Sequence, residues 1–353
     1  MIKILWCLSL SLFLSFNSQA QNLDQVIKFI KENPKKCSVY LIENGKNTIK
    51  YNSSQLMPLA SAAKTIIAIE FADQVASKKI NPYTNIAVND LAKYYLPFTD
   101  GGAHPAWLKS LGKKAGDSVS LLAVAQGMIR YSSNANTEYL EDLLGLENIN
   151  KSIKTINLKD HQPLYYFTAA ALMTSAKPKD FDESAWLKKL NGMSIEEYRR
   201  KCDENHLKLK TDSSFIKTLN ANSLSGNIQK FWSDRLVSST TETYALLMQK
   251  INSGTFFKKD VQQVLESVME WPMLFTGNQQ VFTHLGQKGG STAFVLTDAF
   301  YATDKKGNTL SCAFFFNDLT KEESNLITSN FGAFEAGIIT NQKFRTKLAE
   351  GLK

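Results

Sequence analysis

A chain of 353 residues with 41 basic and 33 acidic side chains, a formal charge of +8, is long enough for about two domains. Only five of the basic residues are arginine and no dense basic tract occurs, so the excess reads as a lysine-rich solvated surface and nucleic acid is not an expected partner. Beyond the first twenty residues no run approaches the roughly 20 apolar residues of a membrane span, which argues against stable membrane insertion.

In chain order, residues 1–20 predict an export signal. Lys3 supplies the charged start, Ile4 to Phe16 the apolar core, and Ser18 and Ala20 the small residues before Gln21. Cys7 lies inside that core without the small residues that mark a lipid-anchored cysteine. The mature chain is expected to begin near Gln21, secreted across the inner membrane into the periplasm. Cys37, Cys202 and Cys312 then remain, an odd number that leaves at least one without an internal partner. Cys37 and Cys312 both fall in predicted strands and either pair, if those strands are neighbours, or persist as buried thiols.

Apolar spacing at Val26, Ile27, Phe29 and Ile30 predicts a helix over Asn22–Glu32, closed by Pro34. Ser38–Ile42, Asn44-Gly45 and Thr48–Tyr51 read as strand, tight turn and strand. From Ser61 to Val75 the residues Ile66, Ile67, Ile69, Phe71 and Val75 crowd most of a helix circumference, as expected of a buried helix. Asn81 to Trp107, with Pro82, Pro97, Gly101-Gly102 and Pro105, reads as surface loop with short helical turns. Asp117–Ser120 opens a helix that breaks at Tyr131-Ser132-Ser133-Asn134 and resumes over Ala135–Leu144. The charged stretch from Ala176 to Asp234 predicts amphipathic helices, with Ser194-x-x-Glu197 as a capping box.

Ser238–Thr241 then caps a helix through Ile251, and Asp260 to Trp271 forms another. Lys288–Tyr301 and Thr309–Asn317 predict a second hairpin, and Asn330–Leu352 a closing helix. Strands at both chain ends with helices between predict an α/β fold of the α+β type: an antiparallel sheet built from both ends, flanking helices, and an inserted all-α lobe.

The spacing S-x-x-K occurs three times, at Ser61/Lys64, Ser110/Lys113 and Ser214/Lys217, as often as chance allows in so serine- and lysine-rich a chain. Only Ser61/Lys64 leads into an apolar helix. There a serine in the first turn and a lysine one turn on share a face, as nucleophilic catalysis requires; a plain helix cap with a solvated lysine is the alternative. Ser132-Ser133-Asn134 fits either an interhelical turn or a proton relay, and Lys288-Gly289-Gly290-Ser291 either a strand entry or a substrate-binding edge. His104, His161, His206 and His284 show no zinc-ligand spacing, so no metal and no cofactor is expected.

Together and in this order, the three motifs match S-x-x-K, S-D-N and K-T-G, and the chain resembles the penicillin-recognising serine enzymes, above all the class A-like β-lactamases. The resemblance implies one catalytic domain over 21–353, with 21–60 and 235–353 as the α/β lobe and 61–234 as the helical lobe, 176–234 being an insertion or lid. It implies Ser61 as nucleophile, Lys64 as base, and Ser132 as relay to the leaving nitrogen. Asn134 would hold Lys64 and a substrate amide. Lys288 with Gly289, Gly290 and Ser291 would form the carboxylate-binding and oxyanion edge. The implied activity is an exported serine hydrolase forming a Ser61 acyl-enzyme with β-lactam or related amide or ester substrates. The alternatives are a peptidase or esterase on cell-wall or other acyl substrates, or a non-hydrolytic penicillin-binding sensor.

The sequence departs from that family at four points. No E-x-x-L-N motif supplies a deacylating glutamate, and Asp160–Thr168 offers no carboxylate after Asp160. Gly289 stands where the third motif has a hydroxyl residue, with Ser291 or Thr292 as possible replacements. Ser133 stands where the middle motif has aspartate. Ala176–Asp234 is longer than the usual connection.

Overall fold

The turn at Asn44-Gly45 sets the first edge of the sheet. Both residues have positive φ, 48° and 76°, the backbone of a two-residue hairpin turn. It joins β1 (Cys37–Glu43) to β2 (Lys46–Tyr51). The computed structural model describes residues 16–97, 99–175, 182–212, 215 and 225–353. The apolar core of the expected export signal, with Lys3 and Cys7, therefore lies outside the described residues, as does the pair Ser214/Lys217. The first described helix runs Phe16–Glu32, starting before the expected Asn22.

Three strands from the other end of the chain complete the sheet: β3 (Phe282–Ser291), β4 (Leu296–Asp304) and β5 (Thr309–Phe316). The order is β2-β1-β5-β4-β3, antiparallel throughout. β1 pairs directly with β5, Glu43 opposite Leu310, so the two chain ends meet at the centre of the sheet. The expected single strand Lys288–Tyr301 is two strands. Thr292 breaks it, because its hydroxyl accepts from the N–H groups of Phe294 and Val295 and its own N–H bonds Val295 O.

Side chains alternate across this sheet. Val39, Leu41, Phe300, Phe314 and Phe316 face the terminal helices Phe16–Glu32, Lys321–Thr340 and Gln342–Gly351. Tyr40, Ile42, Ala299, Tyr301 and Phe315 face the helical side, where Thr241–Asn252 packs. The closing helix starts at Lys321, ahead of the expected Asn330, because Thr320 and Glu323 form a capping box. Cys37 lies opposite Phe316 and Cys312 opposite Leu41, four positions apart on adjacent strands, so the two thiols do not pair. All three described cysteines are buried and free, and burial pushes Cys37 up to about 12.

In the helical lobe, Lys64–Ala76 is the central helix, with Ile66, Ile67, Phe71 and Ala72 fully buried. The expected surface loop before Trp107 holds helices Val88–Ala92 and Ala103–Ser110 and buries Leu91, Tyr94, Leu96 and Trp107. Here apolar residues spaced among prolines and glycines still close a core. The second S-x-x-K serine, Ser110, donates to Trp107 O inside that helix.

Within 176–234 the described helices are Glu183–Asn191, Ile195–Thr211 and Gly226–Asp234. Ser194 caps the second by accepting from the Glu197 N–H, which is one half of the expected capping box. That helix is anchored by His206, whose imidazole contacts Glu138 (2.8 Å) and Asp142 (3.2 Å) and stacks against Tyr166 and Tyr94. Burial alone lowers the His206 pKa, but its bonds to Asp142 and Glu138 outweigh that and hold it up at about 9. A pKa raised above its unfolded value gives stability fully present below about 6.5 and lost as pH rises through 9. The denaturation midpoint is expected to fall between pH 7 and 10. His206→Gln should flatten that fall and lower stability by about 3 kcal/mol, the scale for breaking a buried pair, measured by urea titration at both pH values.

Candidate active site

Leu59 begins the turn that presents Ser61. Its N–H bonds Val237 O, its carbonyl accepts from Ala62 N–H, and Thr297 Oγ1 clamps the same carbonyl at 2.8 Å. Ala60 follows with φ of 45°, a conformation that a residue with a Cβ adopts only under constraint. Ser61 then sits in a short 3₁₀ turn, Ala60–Ala63, running into Lys64–Ala76. Its hydroxyl-bearing residue is partly exposed, whereas Lys64 is wholly buried.

Strand β3 lies against this turn. A Cβ on Gly290 would fall 2.4 Å from Ser61 N, 2.7 Å from Leu59 O and 2.8 Å from Ala62 N, so the approach is open only to glycine. Ser291 follows Gly290 at the end of the same strand.

Ser132 lies between the two lysines. Lys64 Nζ donates to Ser132 O at 2.7 Å, Asn134 Oδ1 at 2.8 Å and Ser132 Oγ at 3.3 Å. Lys288 Nζ reaches Ser132 Oγ at 3.2 Å and its neighbour's carbonyl, Gly289 O, at 2.5 Å. Ser132 itself has φ of 66°, the strained corner that aims its hydroxyl and carbonyl into the site. The three motifs of the sequence thus meet: hydrogen bonds join Lys64, Ser132, Asn134, Lys288 and Gly289, Gly290 packs on the Ser61 turn, and Ser291 follows it on β3.

Two ammonium groups so close and so buried cannot both hold protons easily. Burial first, and Lys288 second, bring Lys64 well below its usual range. Burial lowers Lys288 to about 7, with Asp298 opposing the drop. Ser133, in the place of the family's aspartate, caps Asn134–Leu144 through Asn136 N–H and bonds His104 Nδ1 at 2.9 Å. Thr292 supplies no hydroxyl to the cleft, being committed to its own turn and to Ser233.

The segment where a deacylating glutamate was sought carries an aromatic ring. Phe167 lies with its ring 5.4 Å from Lys64 Nζ, and Asp160 is exposed on the surface. Two carboxylates from Asn134–Leu144 pin this segment from beneath: Glu138 accepts from Thr168 N–H at 2.7 Å and Glu141 from Phe167 N–H at 3.1 Å. Glu141 is wholly buried, and burial first, with Glu138 second, holds its pKa well above the ordinary value. Neither glutamate was legible in the sequence as part of the site, because both look like ordinary helix-surface residues there.

Away from the cleft, Glu266, Glu270 and His284 bring three ligand-type atoms within 4.8 Å of one another. Hydrogen bonds account for the group: Glu270 Oε1 takes His284 Nδ1 and the Tyr301 hydroxyl, and Glu266 takes the Gln262 amide.

A model described as the beta-lactamase enzyme family matches residues 19–333. The chain belongs to the beta-lactamase enzyme family. Beta-lactamase SME-1 of Serratia marcescens is 29% identical over 159 residues, 42% of this chain and 49% of that relative, so the match spans about half of that protein's length. Among solved structures, a class A beta-lactamase from Bacteroides cellulosilyticus superposes with a TM-score of 0.54 at 16% identity, over 95% of this chain and 98% of that one. An acyl-enzyme complex of a PBP-A mutant with penicillin G superposes with a TM-score of 0.53 at 15% identity, over 90% and 96%. At such identities the likeness is one of fold, and the fold is that of the class A-like beta-lactamases.

Proposed function

We propose that this beta-lactamase family member is an exported serine hydrolase that forms a covalent acyl-enzyme on Ser61. The observation that carries the reading is the convergence of Lys64 and Lys288 on Ser132, with β3 seated against the Ser61 turn. In the proposed step neutral Lys64 takes the Ser61 proton as Oγ attacks the acyl carbon. The oxyanion is held by the N–H groups of Ser61 and Ser291. The C–N or C–O bond then breaks, and Ser132 passes the proton from Lys64 to the leaving nitrogen or oxygen.

The second half of the cycle is proposed to be slow, because Phe167 lies over Lys64 where a base for water is needed. The protein then acts on β-lactams chiefly as an acyl acceptor, and the periplasm is its expected place of action. Intact-mass spectrometry over time tests both halves. Incubation with penicillin G should add one penicillin mass and the adduct should persist for many minutes, while Ser61→Ala should add none. Rapid turnover of a chromogenic cephalosporin with no detectable adduct would instead make it an ordinary lactamase.

A further inference from the structure

Gly289 lies directly opposite Asp298 in the β3–β4 ladder, so the two share a face of the sheet. A Cβ on Gly289 would come 3.3 Å from Asp298 Oδ1, which places the carboxylate against the side of the strand where a side chain at 289 would stand. Asp298 is wholly buried and fixed, taking the Ala299 N–H at 3.0 Å and the Gln287 amide at 3.1 Å. Glu335, also buried, adds a second carboxyl nearby, and burial first, with the Asp298 charge second, pushes its pKa well above the ordinary range. On the other face, Lys288 has its ammonium turned onto Gly289 O and Ser132 Oγ.

These groups change what the third-motif end of the cleft can attract. Burial raises Asp298 to about 7, near the value of Lys288. Lys288 ammonium with Asp298 carboxylate, or lysine amine with the protonated acid, carries no net charge either way. A lone lysine would leave +1 there. The hydroxyl donor expected at 289 is missing, and the side-chain atom nearest the vacancy is Asp298 Oδ1, so a substrate carboxylate drawn to this position faces a carboxyl group in place of a donor.

We infer that Asp298, behind Gly289, is a specificity-determining residue that turns this site away from acyl donors carrying a carboxylate next to the scissile bond and toward uncharged or amine-bearing esters, amides and lactams. The inference rests on the Ser61 acyl-enzyme reading and deepens it. A group on the substrate that donates hydrogen bonds is accepted by this edge; one that only accepts is not.

Penicillin G and its methyl ester differ only in the carboxylate and form the test pair. The rate of Ser61 acylation by each is measured by intact mass in the full-length protein, together with the thermal unfolding of each variant. In the unaltered protein the ester is expected to acylate at least as fast as the free acid. In Asp298→Asn, and separately in Gly289→Ser, the ratio of acid rate to ester rate should rise tenfold or more. Gly289→Ser decides the matter if Asp298→Asn does not fold. A free acid at least tenfold faster in the unaltered protein, or a ratio that stays within twofold in both folded variants, overturns the inference. Absence of any adduct from either compound, alike in the unaltered protein and in Ser61→Ala, overturns the acyl-enzyme reading itself and the inference with it.

Discussion

Gly290→Ala is expected to abolish acylation while leaving most of the fold in place. The added methyl would lie 2.4 Å from Ser61 N and under 3 Å from two further backbone atoms, none of which can rotate aside. Either β3 retreats or the Ser61 turn does, and in the proposed mechanism both separate the Ser61 and Ser291 N–H groups from the oxyanion. Loss of one such donor costs roughly 10²- to 10³-fold in rate, and here both shift together. Strain from overpacking adds about 1–3 kcal/mol of destabilisation. Acylation followed by intact mass should fall at least 100-fold, with circular dichroism unchanged. Acylation within tenfold of the unaltered protein would mean that the Ser61–Gly290 contact has no part in the chemistry.

Phe167→Glu is expected to convert a persistent adduct into a turning-over one. The ring lies 5.4 Å from Lys64 Nζ, and its backbone is already fixed by Glu141, so a carboxylate there would be held at the mouth of the proton relay. A positioned general base contributes about 10²- to 10⁴-fold, and the adduct half-life should shorten by at least 100-fold. The sign of a second effect follows from the same geometry. A carboxylate near Lys64 favours the ammonium, raises its pKa, and should slow acylation at neutral pH by several-fold. Both rates come from one time course. An adduct as long-lived as before would show that more than a base is missing.

Much of this was legible in the sequence, and the reasons differ from one element to the next. Asn44-Gly45 announces its hairpin because few residues accept two successive positive φ angles. The Ser61 helix is readable because burial of most of its circumference crowds Ile66, Ile67, Ile69, Phe71 and Val75 into one short stretch. The order of the three motifs is readable because each sits at a boundary between elements, where polar residues are conspicuous. By contrast, the break at Thr292–Val295 depends on one hydroxyl satisfying two N–H groups, and Phe294, Val295 and Thr297 mimic a continuing strand. Asp298 and His206 were opaque for another reason. A carboxylate in a strand or an imidazole on a charged helix reads as solvent-facing, and only the fold supplies the Gln287, Glu138 and Asp142 partners that allow their burial.

The pairing of β1 with β5 has a consequence for the timing of synthesis. Glu43 finds Leu310 only after more than 260 residues have intervened, and Gly290 meets Ser61 across a comparable gap. Loops of that length close late and slowly. Until Phe282–Ser291 has been made, the serine turn has no strand to lean on, and until Thr309–Phe316 follows, that strand has no completed sheet behind it. On the acyl-enzyme reading proposed above, a nascent or C-terminally clipped chain would carry Ser61 in an inert form, and reactivity would arrive in a single step with the closing of the sheet.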